Sequence, residues 1–145
     1  YYMEKPVKNS VAYVIYRDNS KNEFLIVQRP FDDDDLPGYW GLPAGSLKEN
    51  EYFEDAVIRS GREKLGVELK VIGLINEGEL EREIYILHMK EYEARIAKGV
   101  IKVPQNVKGV TQYKTCNWGT AEDLMPAAEK GSLCCKLYIE SKKIK

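Results

Sequence analysis

The sequence predicts a mixed α/β fold. Three observations carry this reading. Short runs rich in β-branched and aromatic residues lie on both sides of the chain's middle, as strands do. A helical spacing of apolar residues occupies 50–67, and a second helical segment occupies 127–143. Strands flanking a central helix, with another helix after them, are expected to build a mixed α/β domain.

Residues 10–16 (SVAYVIY) read as a buried strand, and 18–22 (DNSKN) as a polar turn. Residues 24–28 (FLIVQ) are expected to return as the second arm of a hairpin. A loop follows over 29–41, with the acid run 32–35 and the breakers Pro30, Pro37 and Gly38. Asn50 is the expected N-cap of the central helix, with Glu51, Glu54 and Asp55 in its first turns. Phe53, Ala56, Val57, Leu65 and Val67 are its apolar positions, and Gly66 its stop. Gly61 inside this helix costs about 1 kcal/mol relative to Ala, a cost offset where it permits close packing or backbone access. Residues 69–74 and 83–90 read as strands, and 113–118 as a short one. Thr120 caps a short helix that Pro126 ends, and the last helix is broken or begins near Gly131.

At 145 residues the chain is long enough for one domain with a real core, its ends at 1–5 and 142–145 reading as flexible. The hydrophobic fraction of 43% and charged fraction of 31% are ordinary for a soluble globular chain. A net charge of −1 gives no basic field for nucleic acid, and no apolar run is long enough to span a membrane. The start, YYMEKPVKN, lacks the apolar core of a signal peptide. Three cysteines without metal-type spacing read as reduced thiols in a cytoplasmic protein.

The stretch 40–67 (WGLPAGSLKENEYFEDAVIRSGREKLGV) carries the chemistry. Arg59 and Glu63 are four apart and share a helix face; Ser60, Glu63 and Lys64 cluster through spacings of three and four. A charged helix alone would be read as a solvated, salt-bridged face. The preceding loop 40–45 is apolar and conformationally special, and this lifts the functional reading. The Gly45 carbonyl and the Glu63 carboxylate are oxygen ligands suited to a hard cation that bridges phosphate oxygens.

At these residues the chain resembles the Nudix (MutT-like) hydrolase family. The family's box reads Gly, five residues, Glu, seven residues, then Arg-Glu-apolar-any-Glu-Glu-any-Gly-apolar. Gly45, Glu51, Arg59, Glu63, Gly66 and Val67 fall in register with it. Trp40, Leu42 and Pro43 before the box, and WGTAEDL at 118–124 after it, are similar to the family's layout. The resemblance implies the Nudix fold, a mixed β-sheet sandwiched between α-helices, with Glu63 and Gly45 holding Mg²⁺ or Mn²⁺. It further implies Glu51 and Arg59 as a bracing salt bridge, and a small nucleotide or nucleoside diphosphate derivative as partner. A homodimer is a common family state.

The box departs from the family at Ser60, Gly61 and Lys64. Of three acids in the cluster only Glu63 stands, so a weakened metal site is expected. Lys64 adds repulsion toward a cation of roughly 4 kcal/mol per unit charge at 4 Å and an effective dielectric near 20. Three arrangements are open. Acids elsewhere (Glu77, Glu79, Glu81, Glu91, Glu93 or the run 32–35) complete a displaced site; one metal suffices with substrate phosphates; or the Lys64 ammonium itself neutralises phosphate. Arg29 and Lys64 are candidate substrate contacts, while Trp40 reads as core. The acid run 32–35 reads as a solvated loop, His88 as packed or edge-exposed, and Cys116 and Cys134 as small core residues. Two functions follow. One is a metal-dependent hydrolase cleaving a phosphoanhydride in a nucleoside diphosphate linked to another group. The other is a catalytically impaired Nudix domain that binds a nucleotide or metabolite without turnover.

Overall fold

The computed structural model describes residues 4–143. A four-stranded sheet is ordered β4 (Ala44–Ser46), β1 (Val7–Ile15), β6 (Ile86–Lys98), β5 (Glu68–Glu81). β1 and β6 are parallel, with Val7 opposite Ile86 and Ile15 opposite Ala94; the other two pairings are antiparallel, so the sheet is mixed. A second sheet orders β3 (Trp40–Gly41), β2 (Phe24–Gln28) and β7 (Thr115–Gly119), all antiparallel.

The β1 side chains alternate between two cores, as strand geometry requires. Val11, Tyr13 and Ile15 pack with Ala56, Val57 and Leu65 of the central helical segment. Ala12 and Val14 pack with Cys135 and Tyr138 of the last helix. Helices thus cover both faces of the mixed sheet, and β1 reads as a near-continuous apolar run because neither face meets water.

Several boundaries move. Residues 10–16 and 24–28 do form strands, but not a hairpin. Both edges of β1 are taken by β4 and β6, so β2 joins the other sheet. Where the two arms meet, the Tyr16–Phe24 bridge, the Arg17 N–H to Glu23 carbonyl bond and the Arg17–Glu23 ion pair link them. β5 runs far beyond residue 74 and β6 begins at Ile86, not at 83, and continues to Lys98. The polar end of β5 carries no clear apolar alternation and is a strand because it pairs with β6, across three register shifts, whereas the continuation of β6 does alternate, with Tyr92, Ala94 and Ile96 turned to the core.

Asn50 is not the N-cap. It adopts φ +61°, and helix α1 (Phe53–Ser60) begins after an extended Tyr52. Glu51 therefore precedes the helix instead of lying in its first turn. From Gly61 to Leu65 the helix widens into a π turn, and Gly66 ends it at φ +72° with its N–H bonded to the Gly61 carbonyl. Pro126 does not end a helix. Thr120 caps the 3₁₀ turn Ala121–Leu124 through a capping box with Asp123, and Pro126 sits in the first turn of α2 (Met125–Glu129). The last helix, α3, is Leu133–Lys143. The expected flexible ends fall partly outside the described residues, at 1–3 and 144–145. Within them, Lys5 bonds Glu81 at 2.7 Å and Lys142 and Lys143 complete α3.

Two positions yield stability predictions. A Cβ at Gly61 would stand 2.5 Å from Leu69 Cδ1 and 2.7 Å from its Cγ. Gly61→Ala is expected to lose about 1–3 kcal/mol to overpacking in urea unfolding, outweighing the propensity gain of about 1 kcal/mol. Glu91 is 0% exposed; one carboxyl oxygen accepts from Asn76 at 2.7 Å and the other has no partner. Burial, with the nearby Cys134 thiol, pushes its carboxyl well above the ordinary range. A raised carboxyl contributes stability that is full below its unfolded pKa of about 4.3 and is lost as pH rises through the folded value. Glu91→Gln should therefore gain on the wild type as pH is raised from acid to alkaline, measured by urea unfolding across that range.

Candidate functional site

The crossing from one sheet to the other makes the site. β3 ends at Gly41 and β4 begins at Ala44, so Leu42 and Pro43 carry the chain between sheets. Both are buried, and the Pro43 carbonyl accepts the Tyr13 N–H at 3.0 Å. Helix α1 packs against β4, just past this crossing, and against β1.

The box residues divide between two directions. Ser60 and Lys64 face the crossing. A Cβ at Gly45 would lie 3.5 Å from Ser60 Oγ, and Ser60 shares a 2.8 Å hydrogen bond with the buried Tyr13 hydroxyl. Lys64 Nζ donates to the Ala44 carbonyl at 2.7 Å and stands 5.1 Å from the centre of the Tyr113 ring. The Tyr113 hydroxyl donates to the same carbonyl at 3.1 Å and accepts the Ala44 N–H at 2.9 Å. Glu63 instead accepts from Arg59 Nη1 at 2.8 Å.

Arg59 ties these parts together. Its Nε and Nη2 fork onto the two Glu51 oxygens at 2.8 and 2.9 Å, and Nη2 also donates to the Ser46 carbonyl at 2.8 Å. A forked guanidinium–carboxylate pair is both strong and directional. The Arg59 hydrogen bonds hold the Glu51 carboxyl below its ordinary range, helped by the Lys48 N–H.

A cleft of about 270 Å³ opens beside the crossing, lined by Gly45, Ser46 and Lys64 at one end. Tyr39, Trp40 and Arg29 form another part of its wall, and Leu87, Met89 and Cys134 supply an apolar one. Trp40 thus lines the cleft while also packing on the core. Arg29 bonds Asp33 at 3.1 Å, and Asp33 accepts the Leu36 N–H at 2.8 Å. Asp33 is therefore a half-buried loop organiser, unlike its exposed neighbours in the acid run. Among the described residues it is also the only acid on the cleft wall.

The residues do not fit the divalent ion that the box pattern implies. No group of three or more His, Cys, Asp or Glu is placed to hold one among the described residues. The two box positions that face the crossing carry a hydroxyl and an ammonium, and Glu63 is bonded to Arg59 and does not line the cleft. Of the acids elsewhere, Glu77 bonds His88 at 2.7 Å, Glu81 bonds Lys5, Glu93 bonds Lys21 and Glu91 is buried beneath α3, while Glu79, Asp32 and Asp34 do not line the cleft. His88 also bonds Asn9 at 3.0 Å, a packed strand histidine.

Tyr13 and Tyr113 were invisible as site residues in the sequence. Tyr13 sits in an apolar strand run, and Tyr113 is 69 residues from the carbonyl it contacts. No local spacing marks either.

The NUDIX domain family model matches residues 7–132. An 8-oxo-dGTP diphosphatase of Proteus vulgaris is 31% identical over 74 residues, which is 51% of this chain and 63% of that protein. The match thus spans less than two thirds of that relative. The solution structure of the E. coli ORF135 protein superimposes with a TM-score of 0.69 at 21% identity, over 95% of this chain and 92% of that one, a likeness of fold. The solution structure of DNA mismatch repair protein MutT, a Nudix-family hydrolase from methicillin-resistant Staphylococcus aureus 252, has a TM-score of 0.60. It is 28% identical, covering 84% of this chain and 85% of that one.

The Arg59 hub yields a prediction with a defined sign. Because the folded Glu51 pKa is depressed, its contribution is present above the unfolded value of about 4.3 and is lost as pH falls through the folded value. Arg59→Ala should lose about 1–3 kcal/mol at neutral pH, where it leaves two half-buried carboxylates without their partner. Glu51→Gln should be less stable than wild type at neutral pH and converge with it in acid, both read by urea unfolding.

Proposed function

This chain belongs to the Nudix family, and we propose that its cleft binds a nucleoside diphosphate, free or linked to another group, with little or no turnover. The observation that carries this is the Lys64 ammonium, fixed at the Ala44 carbonyl on the cleft wall, where the family's box has a carboxylate. An ammonium attracts phosphate and repels a divalent ion. The phosphates would lie toward Lys64 and the edge at Gly45 and Ser46. Arg29 would meet the same anion, and the rings of Tyr39 and Trp40 would face the nucleoside.

Hydrolysis is the second reading, and a specific observation favours it. The Glu51–Arg59–Glu63 ion-pair chain that braces the box is complete, and a relative of this chain is an 8-oxo-dGTP diphosphatase. In that reading Glu63 leaves Arg59 to hold Mg²⁺ or Mn²⁺ with the Gly45 carbonyl.

Calorimetry and a phosphate-release screen over nucleotide sugars, dinucleoside polyphosphates and nucleoside triphosphates separate the two. The expected result is heat with at least one nucleotide and turnover more than a hundredfold below the enzyme median of about 10 per second. Turnover at ordinary enzymic rates with Mg²⁺ or Mn²⁺ would establish hydrolysis instead.

A further inference from the structure

We infer that Lys64 acts as a built-in cation in place of a divalent metal, so that the cleft receives a diphosphate group directly and needs no metal ion to do so. This rests on the cleft reading above and specifies its electrostatics.

The position is the first reason. A metal in this fold would be expected against the carbonyls of the crossing, next to Gly45. The Lys64 nitrogen already bonds the carbonyl of the adjacent Ala44 at 2.7 Å. An ammonium has three N–H donors and no acceptor, so that bond leaves two donors for a ligand.

The second reason is that the ammonium is held in place. The Ala44 carbonyl also accepts the Tyr113 hydroxyl, whose oxygen takes the Ala44 N–H in return. The Tyr113 ring stands 5.1 Å from Nζ, within cation–π range, and Tyr113 is buried. A flexible lysine stem thus carries a charge whose place is set on two sides.

The third reason is the charge balance. Lys64 has no carboxylate within 4.0 Å among the described residues, because Glu63 pairs with Arg59 and Asp33 with Arg29. Ser60, beneath Gly45, is neutral and shares its hydrogen bond with a tyrosine. The nearest acids, Glu51 and Glu63, are both turned onto Arg59, so among the described residues the Lys64 ammonium has no carboxylate in contact with it. A diphosphate satisfies it, while a divalent ion bound to that diphosphate withdraws the same oxygens and brings a like charge.

The test uses inorganic pyrophosphate as probe, titrated calorimetrically into the full chain in EDTA and again in Mg²⁺. The wild type should bind in EDTA, with equal or weaker affinity in Mg²⁺. Lys64→Met, which keeps the stem, should lose about tenfold or more, the scale of a charge-assisted hydrogen bond. Lys64→Arg should retain most of the affinity, and Lys64→Glu should bind nothing in EDTA. Melting curves separate loss of binding from loss of fold, and Lys64→Met binding pyrophosphate as the wild type does would overturn the assignment. A wild type that binds only when Mg²⁺ is present would overturn it too, while leaving the cleft reading intact. No binding by pyrophosphate or by any nucleotide of the panel, with metal or without, would remove both.

Discussion

The short crossing from Gly41 to Ala44 joins two sheets that share almost no other backbone bonds near the cleft. A chain segment that leaves one sheet and enters another has few ladder bonds of its own, and its place is set by what packs against it. Arg59 does this here, bonding the Ser46 carbonyl just past the crossing and Glu51 just before the helix. One guanidinium thus fixes loop, helix and strand relative to one another, and the cleft depends on that fixation. The geometry also explains why Glu51 stands outside the helix: its carboxylate has to meet Arg59 from the loop side, and a left-handed Asn50 turns the chain to permit it.

With the frame held by Arg59, the residues facing the crossing are free to vary in charge. Ser60 and Lys64 point one way along the helix segment and Glu63 the other. The π turn lies in this stretch and changes the angular offset between successive residues from that of a regular helix. Regular spacing would put positions 60, 63 and 64 on one cluster. In the folded chain the acid that matches the family pattern serves the brace, Lys64 lines the cleft, and Ser60 is buried against Tyr13. One of the two changes of charge thus falls on the cleft wall, at Lys64, and the other beneath Gly45, at Ser60.

Much of this was legible in the sequence, and the limits have physical causes. The box residues identify themselves because a helix places spaced side chains predictably, and Gly66 announces its stop through a conformation that favours glycine. Strand partners are chosen at long range. Nothing local in FLIVQ says that the edges of β1 are already taken, so the hairpin reading was natural and wrong. The polar end of β5 becomes a strand through pairing with β6, which no alternation of its own foretells, while the alternation Tyr92, Ala94, Ile96 did mark the continuation of β6. Tyr113 meets Ala44 only because β7 carries the following residues onto β2, beside β3. The cost of Gly61 pointed correctly to close packing, though not to Leu69 as its neighbour.

A damaged site and an adapted one can be told apart by how their altered residues are satisfied. A carboxylate lost from a packed cluster commonly leaves a hole or an orphaned donor behind, because neighbours shaped to receive it remain. Here each replacement has its own partner: Ser60 has the Tyr13 hydroxyl and Lys64 has the Ala44 carbonyl, braced in turn by Tyr113. Among the described residues the buried side-chain atoms without a hydrogen bond are Arg82 Nε and Glu91 Oε2, neither of them in the box. Tyr13 is wholly buried and burial holds its hydroxyl in the neutral form, so it suits a serine, whereas an ionised glutamate at position 60 would have to be buried against it. The substitutions and their surroundings form a consistent set, as expected of a cluster refitted around a different charge.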